Sequence, residues 1–593
     1  MNLFRFIARD FVHYTKSFAA VAAGTAIGAA VLTGALVLGD SVRQSLKDIT
    51  FERLGGTRYA LSSGNVYFGK ELASRISRDA KCLATAALIT EGVASRPEEN
   101  RQLGGVQVVG IERKFCNFWE NPSVPPDAES AVISANLATR LGLQKGGDLV
   151  LKIPLGGMAP YSAPFVSASQ PWVSKRLRIR AIAPDNAMGR FSLKTNQAAP
   201  YNVFVDLGTL SSMLDLRGRA NLILMAKPGW GRPQDPDQIL KRVWQPGDAS
   251  LFVRPLQESG GKQAGKPLQN PIRARLGYEI HSGKIFMDSV TSAAVRSSIP
   301  NCSEQFTWLV NSFVLKGRET PYSFVTAATP DFIGADPGAG GILINTWLAA
   351  DLKAGAGDTI TLNYFVLGQR NHLRKDSACF VVRGIMPFDS PPWDPDLMPA
   401  FPGIKNAGNC RDWETGTTVD LKKIRPADEL YWQKYRGTPK AFIRLEDGKR
   451  IWNNPFGTAT SFRFNATQKE LPQYGHSILS RLEPPALGLK FAPVLTLGLD
   501  SASQSTDFGG LFLGLSFFII LASILLSAVL YSLHLQTREK EKKLLLSLGL
   551  RKRFIMWLYA SECLLVAIAG SIVGSAGGVL YTRMMLAGLN TIW

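Results

Sequence analysis

The sequence predicts an α+β protein in two parts: a helical membrane anchor of three transmembrane helices, and a large extracytoplasmic mixed α/β ectodomain made of repeat-related lobes. Three observations predict it. Apolar stretches free or nearly free of charge, each long enough to cross a bilayer, sit at 17–39, 508–536 and 554–582. A polar insert, 40–507, separates the first stretch from the second. Within that insert one pattern of strand, helix, turn and strand is written twice.

Residues 1–16 come first. Phe4, Ile7, Phe11, Tyr14 and Phe18 form a stripe opposite Arg5 and Arg9, which predicts an amphipathic elbow lying on the inner leaflet. Residues 17–39 carry no charged side chain and exceed the roughly 20 residues that span a bilayer core at about 1.5 Å per residue. A cleaved signal peptide fits poorly, since its apolar region is shorter and a small-x-small site follows it. Val42, Leu46, Ile49 and Arg53 recur at three- and four-residue intervals, so the first helix is expected to continue outward as a stalk. The second span, 508–536, has no Asp, Glu, Lys or Arg, and the third, 554–582, has a single acid, Glu562.

Orientation follows from the cations beside the spans. Arg5, Arg9 and Lys16 precede the first span, and Arg538, Lys540, Lys542, Lys543, Arg551, Lys552 and Arg553 crowd the loop 537–553, so both segments are expected inside. The insert 40–507 and the end 583–593 then lie outside. The net charge of +20 is shared between these inner segments and the insert. A basic balance spread over a large domain serves solubility, and no basic run interleaved with aromatics points to nucleic acid. Of the six cysteines, Cys563 falls in the third span. Cys82 with Cys116, or Cys379 with Cys410, are candidate bridges in an oxidising compartment, and buried free thiols are the equal alternative.

The repeat pairs Gly105–Ile111 with Tyr322–Ala328, 131–153 with 341–364, and 177–184 with 380–387. Ser134 and Asn345 suit helix N-caps, and Leu137/Leu141 and Leu348/Leu352 stand four apart on one helical face. Gly146-Gly147-Asp148 and Gly355-Ala356-Gly357-Asp358 supply turns. Leu149/Leu151/Ile153 and Ile360/Leu362/Tyr364 then alternate as half-buried strands do, and the return strands end at Pro184 and Pro387. The expectation is two α+β lobes with small sheets, joined by Pro/Gly-rich connections at 227–236 and 257–271.

Catalytic chemistry is not predicted, and the chain is read as a non-enzyme without cofactor or metal. Gly260 to Pro267 meets the spacing of a phosphate loop, but Pro267 replaces the Ser or Thr that would hold magnesium, so a linker is the better reading. His13, His281, His372, His476 and His534 form no zinc-ligand spacing, and there is no Gly-x-Ser-x-Gly elbow. The run Asp389 to Asp396 lacks the spacing of a calcium loop and reads as a rigid Pro-built loop.

The loop 537–553 carries the strongest motif. Thr537-Arg-Glu-Lys-Glu-Lys-Lys-Leu-Leu-Leu-Ser-Leu-Gly-Leu-Arg-Lys-Arg, followed by Glu562 and the small residues Gly570, Gly574, Gly577 and Gly578, closely resembles the signature of FtsX-like ABC-transporter permeases. Lys542 and Lys543 depart from it, standing where that family usually has an aliphatic residue and Gly. The resemblance extends to a MacB-type periplasmic core between the first two spans. There Gly39 to Arg43, Val132 to Asp148, Asp428 to Trp432 and Pro439 to Phe442 look like the branch with large ectodomains. That family has at least four spans, so a chain with three is expected to be a C-terminally truncated form.

The resemblance implies a permease subunit, in a bacterial inner membrane, that couples a separate cytoplasmic ABC ATPase to extracytoplasmic movement. The tasks implied are export or envelope lipid and lipoprotein handling by mechanotransmission, with the two lobes moving against each other. Arg538, Glu539, Glu541, Leu544, Leu548 and Gly549 are the expected ATPase-coupling residues: a helix exposing Arg538, Glu539 and Glu541, with Leu544, Leu545 and Leu548 free to dock. Glu562 is an intramembrane acid, by default functional or paired. Further expected partners are membrane lipid, a second permease copy or half, and a periplasmic adaptor or envelope enzyme. The alternatives are a transmembrane regulator of an envelope hydrolase and a membrane-anchored binding or assembly platform.

Overall fold

The computed structural model describes residues 3–97, 101–155, 172–195, 198–227, 235–256, 277–367, 373–388, 390, 392–405, 407–413, 419–504 and 508–592. Most of both Pro/Gly-rich connections, the phosphate-loop-like run, and Asp389 and Pro391 of the acidic loop lie outside the described residues. The chain divides into a helical unit, Met1–Glu52 with Leu495–Trp593, and an ectodomain unit, Arg53–Val494.

In the helical unit, Leu3–His13 is a short helix, and Thr15–Leu54 is continuous, so the stalk is part of the first span's helix. Phe508–Thr537 and Lys552–Ile592 are the other long helices, and Glu539–Ser547 is a short helix between them. All three long helices have the length and hydropathy to cross a membrane. Small residues bring them together, as close packing in lipid requires. Side chains added at Gly570, Gly574 and Gly578 would collide with backbone at Ala22, Ala26 and Ala30 of the first long helix. On another face of that helix, Gly24 and Gly28 meet Ser527 and Ser523 of the second. Phe11, Tyr14 and Phe18 of the elbow stripe turn inward here: Phe11 stacks on Phe18 with ring centroids 4.7 Å apart, in a cluster with Tyr14, Val21 and Val566.

The ectodomain has two nine-stranded sheets, each curled into a closed barrel with a three-stranded extension. In the first, the spatial order is Phe491–Ala492, Tyr59–Ser62, Leu222–Met225, Ala84–Arg96, Arg101–Ile111, Asn202–Asp206, Ser130–Ser134, Trp172–Ala183 and Asp148–Pro154. The last of these pairs back onto Ala84–Arg96, which closes six strands into a ring. The second runs Leu251–Pro255, Tyr278–Ser282, Ser461–Phe464, Ser303–Leu315, Arg318–Ala328, Ala441–Arg444, Gly341–Asn345, Leu373–Met386 and Thr359–Leu367, and closes onto Ser303–Leu315. Closure leaves the six ring strands without a free edge.

The repeat extends to detail. The parallel pairing slips between Ala131 and Val132 in one barrel and between Ile342 and Leu343 in the other, the same place in both copies. The cap helices are Ala135–Leu141 and Thr346–Leu352, with Leu137, Leu141, Leu348 and Leu352 buried. Asn345 caps as expected, accepting from Leu348 N at 2.8 Å. The Ser134 hydroxyl instead accepts from Asn202 N at 3.0 Å, tying the helix start to a neighbouring strand. Gly146 and Gly357 take φ of +86° and +92°, where only Gly is unstrained.

The sheets are larger than the repeat alone predicts, because strands such as Asn202–Asp206 and Ala441–Arg444 come from outside its recognised segments. The second barrel keeps its own core, around Phe306, Trp308, Ile342 and Leu362, while its sheet's extension packs into the core of the first. Ile280, Met287, Val295, Phe462 and Phe464 share one buried core with Leu72, Leu137, Ile239 and the rest of the first barrel. The acidic loop is fastened by Asp394, which accepts from the buried Arg463 at 2.8 Å, while Trp393 donates to Pro387 O at 2.9 Å. No cysteine is disulfide-bonded, and Cys116 and Cys410 are buried thiols.

Candidate functional site

The site is the turn between the second and third long helices. Arg538 stands between the second long helix and the short one, and its side chain has no exposed surface. Its guanidinium donates through Nε and Nη2 to both Glu541 oxygens at 2.7 Å, through Nη1 to Glu562 Oε2 at 2.5 Å, and through Nη2 to Asp10 Oδ2 at 2.5 Å. The rings of Tyr14 and Tyr559 lie 4.8 and 4.7 Å from its central carbon. Tyr14 also donates to Glu541 at 3.3 Å. One planar cation thus fastens the elbow helix, the short helix and the third long helix together, a use that a guanidinium's forked donors and flat faces allow.

The electrostatics agree with the geometry. Burial by itself would lower the Arg538 pKa, but the hydrogen bonds to Glu541 and the charges of Glu562, Glu541 and Asp10 outweigh it and raise the pKa above the ordinary arginine value. Burial would likewise raise the Glu541 pKa, and Arg538 overrides it and lowers it. The guanidinium and the Glu541 carboxylate are therefore held charged.

This arrangement corrects part of the sequence reading. Arg538 is not on the exposed face, Glu541 turns inward to it, and Leu545 packs against Ile555 and Tyr559. Their i, i+3 and i+4 spacing resembles a solvated helix face, and the partners that bury them lie elsewhere in the chain. Glu539 and Gly549 are exposed, and Leu544 and Leu548 are 61% and 70% exposed. At about 100° per residue the short helix then has three faces: Arg538, Glu541 and Leu545 inward, Leu544 and Leu548 outward, and Glu539, Lys542, Lys543 and Leu546 along a cleft. Gly549, at φ +86°, breaks the chain before the third long helix. Sequence reasoning missed Asp10, Tyr14 and Tyr559. The available signal was Asp10, a lone acid in a cationic segment beside a span.

A second buried cation lies in the ectodomain, where the quoted segments Asp428 to Trp432 and Pro439 to Phe442 meet. Lys440 Nζ is 3.6 Å from Asp428 and sits over Trp347 and Tyr431, 4.1 and 4.7 Å from their ring centroids. Burial pulls its pKa down to about 8, against the opposing pull of Asp428. Among the described residues no group of His, Cys, Asp and Glu is arranged to hold a metal ion.

Residues 513–593 match the family described as FtsX-like permease C-terminal. No curated protein matches the chain. Among solved structures, the crystal structure of the periplasmic region of MacB from Actinobacillus actinomycetemcomitans aligns with 39% of this chain and 92% of its own, at 8% identity and a TM-score of 0.22. The chain is a multi-pass membrane protein with a large extracytoplasmic domain. The family match covers the last 81 of the 593 residues.

Proposed function

We propose that the chain is the permease-like subunit of an ABC-type complex, in which a separate cytoplasmic ATPase drives movement of the ectodomain. The observation that carries this reading is the short helix Glu539–Ser547: its outward face presents Leu544 and Leu548, while its inward face is clamped by Arg538. Two exposed leucines four residues apart suit a helix that seats in a groove. A lever must also be stiff where it meets the load, and the Arg538 cluster couples this helix to the elbow through Asp10 and to the third long helix through Glu562.

On this reading ATP hydrolysis belongs to the partner, and the chain's own work is mechanical: export, or envelope lipid and lipoprotein handling, in a bacterial inner membrane with a second permease copy or half. The core that the first barrel shares with the second sheet's extension favours movement of the ectodomain as one body over lobe-against-lobe motion. The test is co-purification of the full chain with its candidate ATPase. Leu548→Asp would place an unpaired carboxylate in the docked interface, a cost of several kcal/mol, and capture should fall more than tenfold. Undiminished capture and ATPase stimulation would remove the assignment.

A further inference from the structure

The cleft beside the short helix is not used by the proposed docking face. It runs between the second and third long helices, with Glu539, Lys542 and Lys543 of the short helix and Lys552, Met556 and Ala560 of the third among its walls. Its volume is about 800 Å³. Leu544 and Leu548 do not line it.

Two features define what fits. The first is charge. Lys542, Lys543 and Lys552 are exposed, and none forms an ion pair or side-chain hydrogen bond among the described residues. Among the described lining residues Glu539 is the one carboxylate, so the wall keeps a cationic excess. The second is the order of polarity along the cleft. The lysines lie at or beyond the ends of the candidate spans, at Thr537 and Lys552, whereas Leu535, Ile555, Met556 and Ala560 lie within them. The second span separates this loop from the ectodomain, and the cations crowding the loop place it on the cytoplasmic side.

A cationic mouth on an apolar floor, at the cytoplasmic edge of a bilayer, has the polarity of a phospholipid read from head to tail. Basic pockets between transmembrane helices on this side bind anionic headgroups. Inorganic phosphate needs neither the apolar floor nor the room. We propose that this cleft is a binding site for one anionic phospholipid: Lys542, Lys543 and Lys552 take the headgroup phosphate, and the acyl chain lies along Met556 and Ala560. The lysines at 542 and 543 make it a property of this chain, since they depart from the motif that the loop otherwise resembles. The inference is independent of the ATPase reading, because it uses another face of the short helix.

The test is native mass spectrometry of the full chain in detergent, titrated with phosphatidylglycerol or phosphatidylcholine. One phosphatidylglycerol should bind per protomer, at least tenfold more tightly than phosphatidylcholine. The triple variant Lys542→Gln, Lys543→Gln, Lys552→Gln should lose at least tenfold of that affinity. The triple Lys540→Gln, Arg551→Gln, Arg553→Gln removes the same charge from the same loop outside the cleft and should stay within twofold of wild type. Ala560→Trp, at an exposed position on the apolar floor, should also weaken binding. Millimolar inorganic phosphate should not displace the lipid. Equal loss in the two triples would overturn the site in favour of diffuse surface charge, and displacement by phosphate would reassign it to a free anion. No bound lipid, with Met556→Cys cross-linking to a second copy, would make the cleft a protein interface.

Discussion

Arg538 Nη1 and Glu562 Oε2 lie 2.5 Å apart with both side chains wholly shielded from solvent, so the conspicuous acid of the third span and the first cation of the loop are one ion pair. Removing the cation strands Glu562, Asp10 and Glu541 together. Arg538→Met should therefore cost about 3–5 kcal/mol, the range for breaking a buried pair from one side. Glu562→Gln leaves two carboxylates on Arg538 and should cost less. Thermal unfolding of the purified chain in detergent ranks the two, and the reverse order would mean that Arg538 is not the hub.

The glycines of the third long helix are not equivalent. A side chain at Gly574 meets Ala26 backbone, while Gly577 has open space around its Cβ position. Gly574→Val should separate the helices and lower the melting temperature by several degrees, through the overpacking cost of about 1–3 kcal/mol. Gly577→Val should be nearly silent. Equal effects would mean that the first and third helices do not meet along this stripe.

Cys379 is the exposed thiol of the ectodomain, beside the half-buried Cys82 and Cys302, and so can report topology. In a variant with Cys82 and Cys302 replaced by Ser, a membrane-impermeant maleimide should label it in spheroplasts, and the signal should vanish when Cys379→Ser is added. A cysteine introduced at Ser547, exposed on the short helix, should react only after lysis. Labelling of Ser547→Cys in intact spheroplasts would invert the topology.

Lys440 makes ectodomain stability depend on pH. Its folded pKa, about 8, lies below the ordinary value of 10.5, so the unfolded chain binds the extra proton between those values and this group's contribution to stability rises with pH across that window. Its full span corresponds to roughly 3 kcal/mol. Lys440→Met removes the desolvated charge and leaves Asp428 with Arg425, whose Nε donates to it at 2.8 Å. The variant should be the more stable below pH 8, with the advantage shrinking towards pH 10.5. A pH-independent difference in melting temperature would mean that Lys440 stays charged throughout.

What the sequence revealed and what it hid divides along the range of the interactions. Helix caps, turn glycines and alternating strands are local, so Asn345, Gly357 and Ile360/Leu362/Tyr364 could be read from their neighbours. Barrel closure could not, because it rests on pairings such as Ala94 with Leu151 and Phe313 with Leu362, which carry no local signature. The clamp escaped for the same reason. Arg538 looks like a surface cation beside Glu539 and Glu541, and only the fold brings Asp10 from the other end of the chain.

The strand pair that joins Ala60 to Ala492 and Leu61 to Phe491 closes the ectodomain where the chain enters and leaves it. The pair ties the entering segment to the leaving one, so a pull that separates the two ends would load this short ladder together with the neighbouring bonds from Gly56 N to Phe118 O and from Arg58 N to Met225 O. Once it parts, the first barrel's sheet loses its outermost strand, and the same pull acts on Tyr59–Ser62 and its neighbour Leu222–Met225.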